Sequence, residues 1–136
     1  VLLDTCAIIW LFSHRRLKEP GAAAILKAVE AGEVHVSPVS AWELGLLASP
    51  RRKRPLELAA SPMVMFETMA GLPGTRIARR DYRSAIHAAS LPDPLHDDPA
   101  DRLLISVARE ADLTLVTRDR KILDYAARGH VKAVRC

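Results

Sequence analysis

Short apolar segments alternate with helical patterns along the whole of this 136-residue chain. Five segments are predicted strands, at residues 1–4, 33–37, 75–78, 113–117 and 131–134. Seven segments are predicted helices, at residues 5–12, 20–31, 38–48, 56–70 (with Pro62 as a potential break), 81–91, 99–111 and 120–128. Such alternation is typical of a parallel sheet with helices on both faces, so we predict one α/β domain over residues 1–136.

The composition excludes several classes of protein. Hydrophobic residues make up 49% of the chain and charged residues 26%, as in ordinary globular proteins. No apolar run reaches the roughly 18 residues of a membrane span, and the apolar segment 7–12 lacks the basic region of a signal peptide. Cys6 and Cys136 form no zinc-ligand spacing, so we expect free thiols in a reducing cytoplasm.

The charge balance permits a polyanionic partner without requiring one. The chain has 20 basic and 16 acidic residues, for a net charge of +4. Aromatic residues make up only 4%, which argues against a binding surface built from many stacking rings. The positions of the acids are therefore more informative than the net charge.

Two acids follow predicted strands. Asp4 ends the first strand, and Asp119 lies two residues beyond the fourth. Parallel sheets bind ligands at the carboxyl ends of their strands, which favours a functional site at these two residues. Each acid also precedes a helix, so capping of that helix is an equally simple explanation.

Glu43 lies within an apolar stripe of the predicted helix 38–48. The stripe consists of Val39, Trp42, Leu46 and Leu47. Glu43 is four residues after Val39, on the same helical face, and an unpaired buried carboxylate costs several kcal/mol. The carboxylate therefore requires a cationic partner, a proton or a metal ion, unless it reaches solvent at the edge of the helix.

Asp101 repeats this pattern in the predicted helix 99–111. It shares a face with Leu104, Ile105 and Ala108. Asp98 precedes Pro99 as a helix N-cap would, and the pair Asp98 and Asp101 has the spacing of a capping box. Capping accounts for Asp98 better than for Asp101, which begins the apolar stripe.

Four segments thus each bring one acid toward a common edge of the sheet. Two unpaired charges about 5 Å apart repel by about 3 kcal/mol at an effective dielectric constant near 20, so such a group needs compensation. Mg²⁺ and Mn²⁺ prefer carboxylate ligands and are the usual counter-ions. We assign no ligand role to His87 or His96.

Four segments of the chain resemble the PIN-domain family, specifically its VapC-type toxin ribonucleases of type II toxin–antitoxin systems. The segments are LLDT at residues 2–5, SPVSAWE at 37–43, HDDPADRLLI at 96–105 and LVTRD at 115–119. They occur in the order found in that family and span nearly the whole chain.

This resemblance implies a three-layer α/β/α sandwich around a parallel sheet of about five strands. It also implies Mg²⁺- or Mn²⁺-dependent cleavage of RNA by a cytoplasmic protein that forms a homodimer. A small VapB-like antitoxin would cover a groove between helices. The catalytic and metal-binding acids would be Asp4, Glu43, Asp101 and Asp119, the accessory positions would be Thr5, Ser40, Asp98 and Thr117, and Arg102 would pair with the acids.

Basic and apolar residues suggest further surfaces. The run of Arg51, Arg52, Lys53 and Arg54 could contact the RNA backbone or form a solvated loop. A second basic patch consists of Arg76, Arg79, Arg80 and Arg83. Apolar residues that could line a partner groove include Ile8, Ile9, Leu11, Phe12, Leu46, Leu47, Met63, Met65 and Phe66, although core packing is the better default for most.

Three other functions compete with a nuclease. A receiver-like Mg²⁺-binding signalling module needs an acceptor Asp after a middle strand and a Lys after the last strand, but the middle strand ends at Ser37 and Lys132 lies inside the last strand. A haloacid-type phosphatase needs an Asp at the position of Cys6. A catalytically silent PIN-fold binding protein stays open as an alternative.

Overall fold

The computed structural model describes residues 1–13, 15–78 and 81–136, which contain five strands and seven helices. The strands are β1 (Leu2–Leu3), β2 (Val34–Val36), β3 (Thr75–Ile77), β4 (Leu115–Thr117) and β5 (Ala133–Arg135). The helices are α1 (Thr5–Phe12), α2 (Gly21–Ala31), α3 (Pro38–Ala48), α4 (Pro62–Gly71), α5 (Tyr82–Ala89), α6 (Pro99–Glu110) and α7 (Arg120–Ala127).

The five strands form one sheet in the order β3-β2-β1-β4-β5, and every neighbouring pair is parallel. The chain builds outward from β1 through β2 to β3, and then crosses to the other side of β1 to form β4 and β5. The carboxyl ends of β1 and β4 therefore meet at the point where the strand order reverses, the usual ligand-binding position in open α/β sheets. The predicted parallel sheet of about five strands is confirmed.

Helices cover both faces of the sheet, as the strand side chains require. Successive residues of a strand point to opposite faces, so Leu2 packs into one core and Leu3 into the other. The Leu2 core includes Leu104 of α6 and Ile122 of α7, whereas the Leu3 core includes Ile8 of α1. The result is the predicted three-layer α/β/α sandwich.

The element boundaries differ from the predictions mainly where proline acts. The predicted helix 56–70 begins only at Pro62, because Ser61 accepts a hydrogen bond from the Val64 backbone N–H at 3.3 Å and proline fits the first turn. Helix α2 begins at Gly21, with Pro20 at the N-cap, and ends as predicted at Gly32, whose φ is +66°. The other helices begin and end within two residues of the predicted positions.

Two further expectations concern the cysteines and the absence of a membrane span. In the part of the chain that the structure describes, Cys6 and Cys136 are both free thiols, as predicted. None of the described helices has the length and apolar character needed to cross a membrane.

Candidate active site

Asp4 follows β1 and occupies the N-cap position of α1, but among the described residues its side chain makes no capping hydrogen bond. Its Oδ2 instead accepts hydrogen bonds from Thr117 Oγ1 at 2.5 Å and from Cys6 Sγ at 3.1 Å. Only 4% of Asp4 is exposed, and this burial raises the pKa of its carboxyl group, with the two hydrogen bonds opposing the rise. The capping explanation for Asp4 is therefore wrong.

Thr5, the first residue of α1, contacts a second acid. Its hydroxyl donates a hydrogen bond to Glu43 Oε2 at 2.6 Å and so links α1 to α3. Thr5 is buried and Glu43 is half-buried. Desolvation raises the pKa of Glu43, the hydrogen bond from Thr5 opposes the rise, and the charges of Asp4, Asp98 and Asp119 add to it.

The predicted apolar stripe of α3 is wrong in its membership. Trp42 and Leu46 are 50% and 44% exposed, whereas the buried residues of this helix are Val39, Ser40 and Leu44. Apolar residues occur on all sides of α3, so periodicity alone could not identify the packed face. Glu43 lies between Ser40 and Leu44 in sequence, at the border of that face.

Asp101 lies in the first turn of α6, where Asp98 serves as the cap. Asp98 Oδ1 accepts hydrogen bonds from the Ala100 and Asp101 backbone N–H groups at 2.9 and 3.3 Å, as predicted for an N-cap. The Asp101 side chain is 14% exposed, and its Oδ2 lies 3.2 Å from His96 Nε2 without the alignment of a hydrogen bond. Desolvation, followed by the charges of Asp4, Asp98, Asp119 and Glu43, raises the pKa of Asp101 to about 8.

Asp119 both caps the helix that follows it and belongs to the group of acids at the carboxyl edge of the sheet. Its Oδ1 caps α7 by accepting hydrogen bonds from the Lys121 and Ile122 backbone N–H groups at 2.7 and 3.3 Å. Its own backbone N–H donates to Thr117 Oγ1 at 2.9 Å, which connects it to the hydroxyl that binds Asp4. Its negative charge also raises the pKa of Asp101.

These acids form one electrostatically coupled group, which we call the acidic edge. Its members are Asp4, Glu43, Asp98, Asp101 and Asp119. Within residues 1–13, 15–78 and 81–136, no three Asp, Glu, His or Cys side chains converge closely enough to hold a metal ion. The acidic edge is thus a group of interacting carboxyl groups rather than a formed coordination cage.

The chemistry of this donor set nevertheless fits a hard divalent cation. Carboxylate oxygens are the preferred ligands of Mg²⁺ and Mn²⁺. Burial and mutual repulsion raise the pKa values of Asp4, Glu43 and Asp101, so a nearby cation would favour their ionised forms. The Ser40 hydroxyl in the first turn of α3 is buried and has no hydrogen-bond partner among the described residues. It provides an additional polar atom on the helix that carries Glu43.

Three contacts near the acidic edge were missed from the sequence. Cys6 binds Asp4, His96 approaches Asp101, and the Arg118 guanidinium lies 3.5 Å from the centre of the Trp10 ring. Arg118 could have been noticed because it stands between Thr117 and Asp119, but no periodicity links it to Trp10. Burial and the neighbouring Asp4 charge raise the pKa of the Cys6 thiol, which keeps it protonated and able to donate.

Arg102 does not pair with the acidic edge, contrary to the expectation from the family resemblance. Its guanidinium donates to the backbone carbonyls of Ala88, His96 and Ala89 at 2.9, 3.3 and 3.3 Å. Because neighbouring residues of a helix are about 100° apart around its axis, Arg102 points away from the direction taken by Asp101. It joins α6 to the end of α5 and to the loop that follows.

The basic run 51–54 is fully exposed in the turn after α3. Helix α3 continues for five residues beyond Glu43, roughly 8 Å at 1.5 Å per residue, before the turn that carries the run begins. In the second predicted patch, Arg76 and Arg83 are exposed, and Arg79 and Arg80 lie outside the described residues.

An apolar groove of about 590 Å³ lies on the α1, α2 and α4 side of the sheet. It includes Leu11 and Phe12 of the predicted partner residues, together with Ile25, Val29 and Met69. Ile8 and Met65 are instead fully buried in the core, as the default explanation held.

Comparison with known proteins gives concordant matches. Residues 1–128 match the family model described as "PIN domain". The chain is 32% identical over 126 residues to Ribonuclease VapC22 of Mycobacterium tuberculosis, an alignment that covers 92% of this chain and 91% of that protein.

Solved structures show the same fold at lower sequence identity. VapBC2 of Rickettsia felis, bound to a DNA fragment from its promoter, matches with a TM-score of 0.68 at 14% identity, over 98% of this chain and 96% of that chain. DNA-bound VapBC of Salmonella typhimurium matches with a TM-score of 0.63 at 16% identity, over the same shares of the two chains.

Proposed function

The chain belongs to the PIN domain family, and we propose that it is a divalent-cation-dependent endoribonuclease that acts as the toxin of a toxin–antitoxin pair. The observation that carries the proposal is the acidic edge, where buried or half-buried carboxylates accumulate at the switch point of a parallel sheet. The relative VapC22, named a ribonuclease, aligns over more than nine-tenths of both chains and supports RNA as the substrate.

We assign Asp4, Glu43, Asp101 and Asp119 as the catalytic acids and the ligands of Mg²⁺ or Mn²⁺. A bound cation supplies positive charge for the phosphate and lowers the pKa of water at the site. Thr5 and Thr117 orient Glu43 and Asp4 through their hydroxyl groups, and Ser40 and Asp98 lie in the first turns that lead to Glu43 and Asp101. Asp4 or Asp119 would accept the proton of the attacking water.

Two protein partners are proposed from the family relationship, an antitoxin and a second copy of this chain. We propose that a small VapB-like antitoxin binds this chain and that the toxin is a homodimer. The proposal is supported by the related folds, which were solved as VapBC complexes. The apolar groove beside α1, α2 and α4 is the surface most suited to an apolar antitoxin segment, since single exposed apolar residues need no explanation but a connected groove does.

The decisive experiment compares RNA cleavage by partner-free protein with Mg²⁺ or Mn²⁺ and with chelator. We expect cleavage only with the cation, and a loss of at least about 100-fold in Asp101→Asn. Glu110→Gln is the matched control, because it removes a carboxylate from the same helix outside the acidic edge, and it should stay within about twofold of wild type. Equal activity with chelator, or full activity in Asp101→Asn, would overturn the proposal.

The alternatives give different results in the same preparation. A catalytically silent PIN-fold protein would bind the cation but cleave no RNA. A receiver-like module would be phosphorylated by a small phosphodonor on an Asp that follows a middle strand. The residue at that position here is Ser37 at the end of β2, and its side chain caps α3 by accepting a hydrogen bond from the Val39 N–H at 3.2 Å. No contact of the described residues favours that second function.

The basic run 51–54 is our candidate for the RNA backbone contact. Each phosphate contact to single-stranded RNA contributes about 0.7 to the slope of log binding constant against log salt concentration. Replacing Arg51 and Arg52 by Gln should therefore reduce the slope by about 0.7–1.4 in a binding titration with catalytically inactive protein. Replacing Lys27 and Arg128 by Gln removes the same charge elsewhere; if both pairs lower the slope equally, the run is not a specific contact.

A further inference from the structure

Two side-chain donors converge on one oxygen of Asp4. Thr117 Oγ1 lies 2.5 Å and Cys6 Sγ lies 3.1 Å from Asp4 Oδ2. The two donors are themselves 3.7 Å apart, Thr117 on β4 and Cys6 on α1. Both side-chain donors to this carboxylate therefore use Oδ2, which fixes the orientation of the carboxyl group.

Backbone groups fix the direction of both donors. The Arg118 N–H donates to Cys6 Sγ at 3.2 Å, and the Asp119 N–H donates to Thr117 Oγ1 at 2.9 Å. A sulfur or oxygen atom that accepts from a backbone N–H must point its own hydrogen elsewhere, and for both side chains Asp4 Oδ2 is the nearest side-chain acceptor. Two consecutive N–H groups in the turn between β4 and α7 thus set the orientation of Asp4, through one thiol and one hydroxyl.

We propose that Cys6 is a positioning residue of the cation site: its thiol donates to Asp4 Oδ2 and so fixes the orientation of a carboxylate that would hold the divalent cation. The inference rests on the proposed function, and it concerns a residue outside the four acids and the accessory positions assigned above. Cys6 acts through Asp4 and is not a catalytic residue. Its hydrogen bonds also tie the start of α1 to the turn that carries Asp119, so two ligands from distant parts of the sequence are held in one frame.

Outer hydrogen bonds of this kind typically change metal affinity or activity by about 10–100-fold when they are removed. Cys6→Ala deletes the donor to Asp4 and the acceptor of the Arg118 N–H together. Cys6→Ser keeps both functions on a side chain of nearly the same size. A comparison of the two variants therefore shows whether an effect comes from the hydrogen bonds of Cys6 or from its thiol group.

The test is Mn²⁺ binding by calorimetric titration of the partner-free protein, with steady-state RNA cleavage as a second readout. We expect Cys6→Ala to weaken Mn²⁺ binding about tenfold and to lower kcat with little change in KM, because RNA contacts lie elsewhere. Cys6→Ser should restore both values to within about threefold of wild type. Cys136→Ala, which removes the other buried thiol, is the matched control and should bind Mn²⁺ like wild type.

The outcomes distinguish this inference from the proposed function. If wild type binds Mn²⁺ and cleaves RNA while Cys6→Ala matches it in both assays, the positioning role is wrong and the nuclease stands. If Cys6→Ala is too unstable to titrate, failure of Cys6→Ser to retain wild-type affinity would equally overturn the inference. If wild type binds no Mn²⁺, both proposals fail.

Discussion

Helix α6 carries one carboxylate in its first turn and one in its last, and the two have opposite surroundings. Glu110 is paired on both oxygens with α5: Oε1 lies 2.6 Å from His87 Nδ1, and Oε2 accepts a hydrogen bond from Ser84 Oγ. Asp101 faces the other acids of the acidic edge, and its only close potential cation is the misaligned His96 among the residues described.

The contrast shows that acids on a helix do not mark a functional site by themselves. Glu110 is compensated within the fold, so it serves to join α5 and α6. Asp101 is enclosed without compensation, which stabilises nothing in the cation-free protein and so calls for a function. The acidic edge thus carries an electrostatic cost that a bound proton or a cation offsets.

The largest effect should come from that ligand. At about 100 times its dissociation constant, Mn²⁺ stabilises the folded protein by about 2.7 kcal/mol, which raises the Tm of a chain this size by about 10 °C. We expect this shift in wild type and in Glu110→Gln, and a much smaller one in Asp101→Asn. Thermal unfolding followed by circular dichroism measures it; an equal shift in all three would place the cation away from Asp101.

The next effect is a dependence of folding stability on pH in the cation-free protein. The pKa of Asp101 is raised to about 8 in the fold from 3.8, so between these values the folded state binds more protons than the unfolded state. Stability is therefore lost as pH rises through this window, and it is unaffected by Asp101 below about pH 4, where both states are protonated.

Asp101→Asn removes this loss. Its Tm should equal that of wild type near pH 4 and exceed it by a growing margin as the pH rises toward 8, with chelator present. Glu110→Gln, measured over the same range, should show no such gain. A constant difference between Asp101→Asn and wild type across the whole range would contradict the assignment of the raised pKa to Asp101.

Most of the fold followed from sequence because its signals are local. The helix at Thr5–Phe12 and the helix at Pro38–Ala48 were predicted at their observed bounds, since Pro38 and the flanking strands punctuate the pattern. The packed face of α3 was not predictable, because Trp42 and Leu46 are as apolar as Leu44. Only the position of α3 against the sheet decides which of these residues is buried.

The acids of the candidate site were predictable as positions, but their environment was not. Asp4 and Asp119 were found because each follows a strand, and Asp101 because it begins an apolar stripe. Their roles as ligands stay predictions. The hydrogen bond from Cys6 to Asp4, the link from Thr5 to Glu43 and the stacking of Arg118 on Trp10 depend on side-chain directions in the folded chain, which no local pattern encodes.

The smallest effect concerns Glu110, the compensated member of the pair. Glu110→Gln keeps an acceptor for Ser84 but loses the charge that His87 binds, so we expect a loss of about 1 kcal/mol in the free energy of unfolding, measured in urea. Ser84→Ala combined with Glu110→Ala should cost less than the sum of the two single changes, because each substitution alone already breaks the hydrogen bond between Ser84 and Glu110. Additive losses would mean that Ser84 and Glu110 stabilise the α5–α6 contact independently. In that case the contact with His87 would be what compensates Glu110.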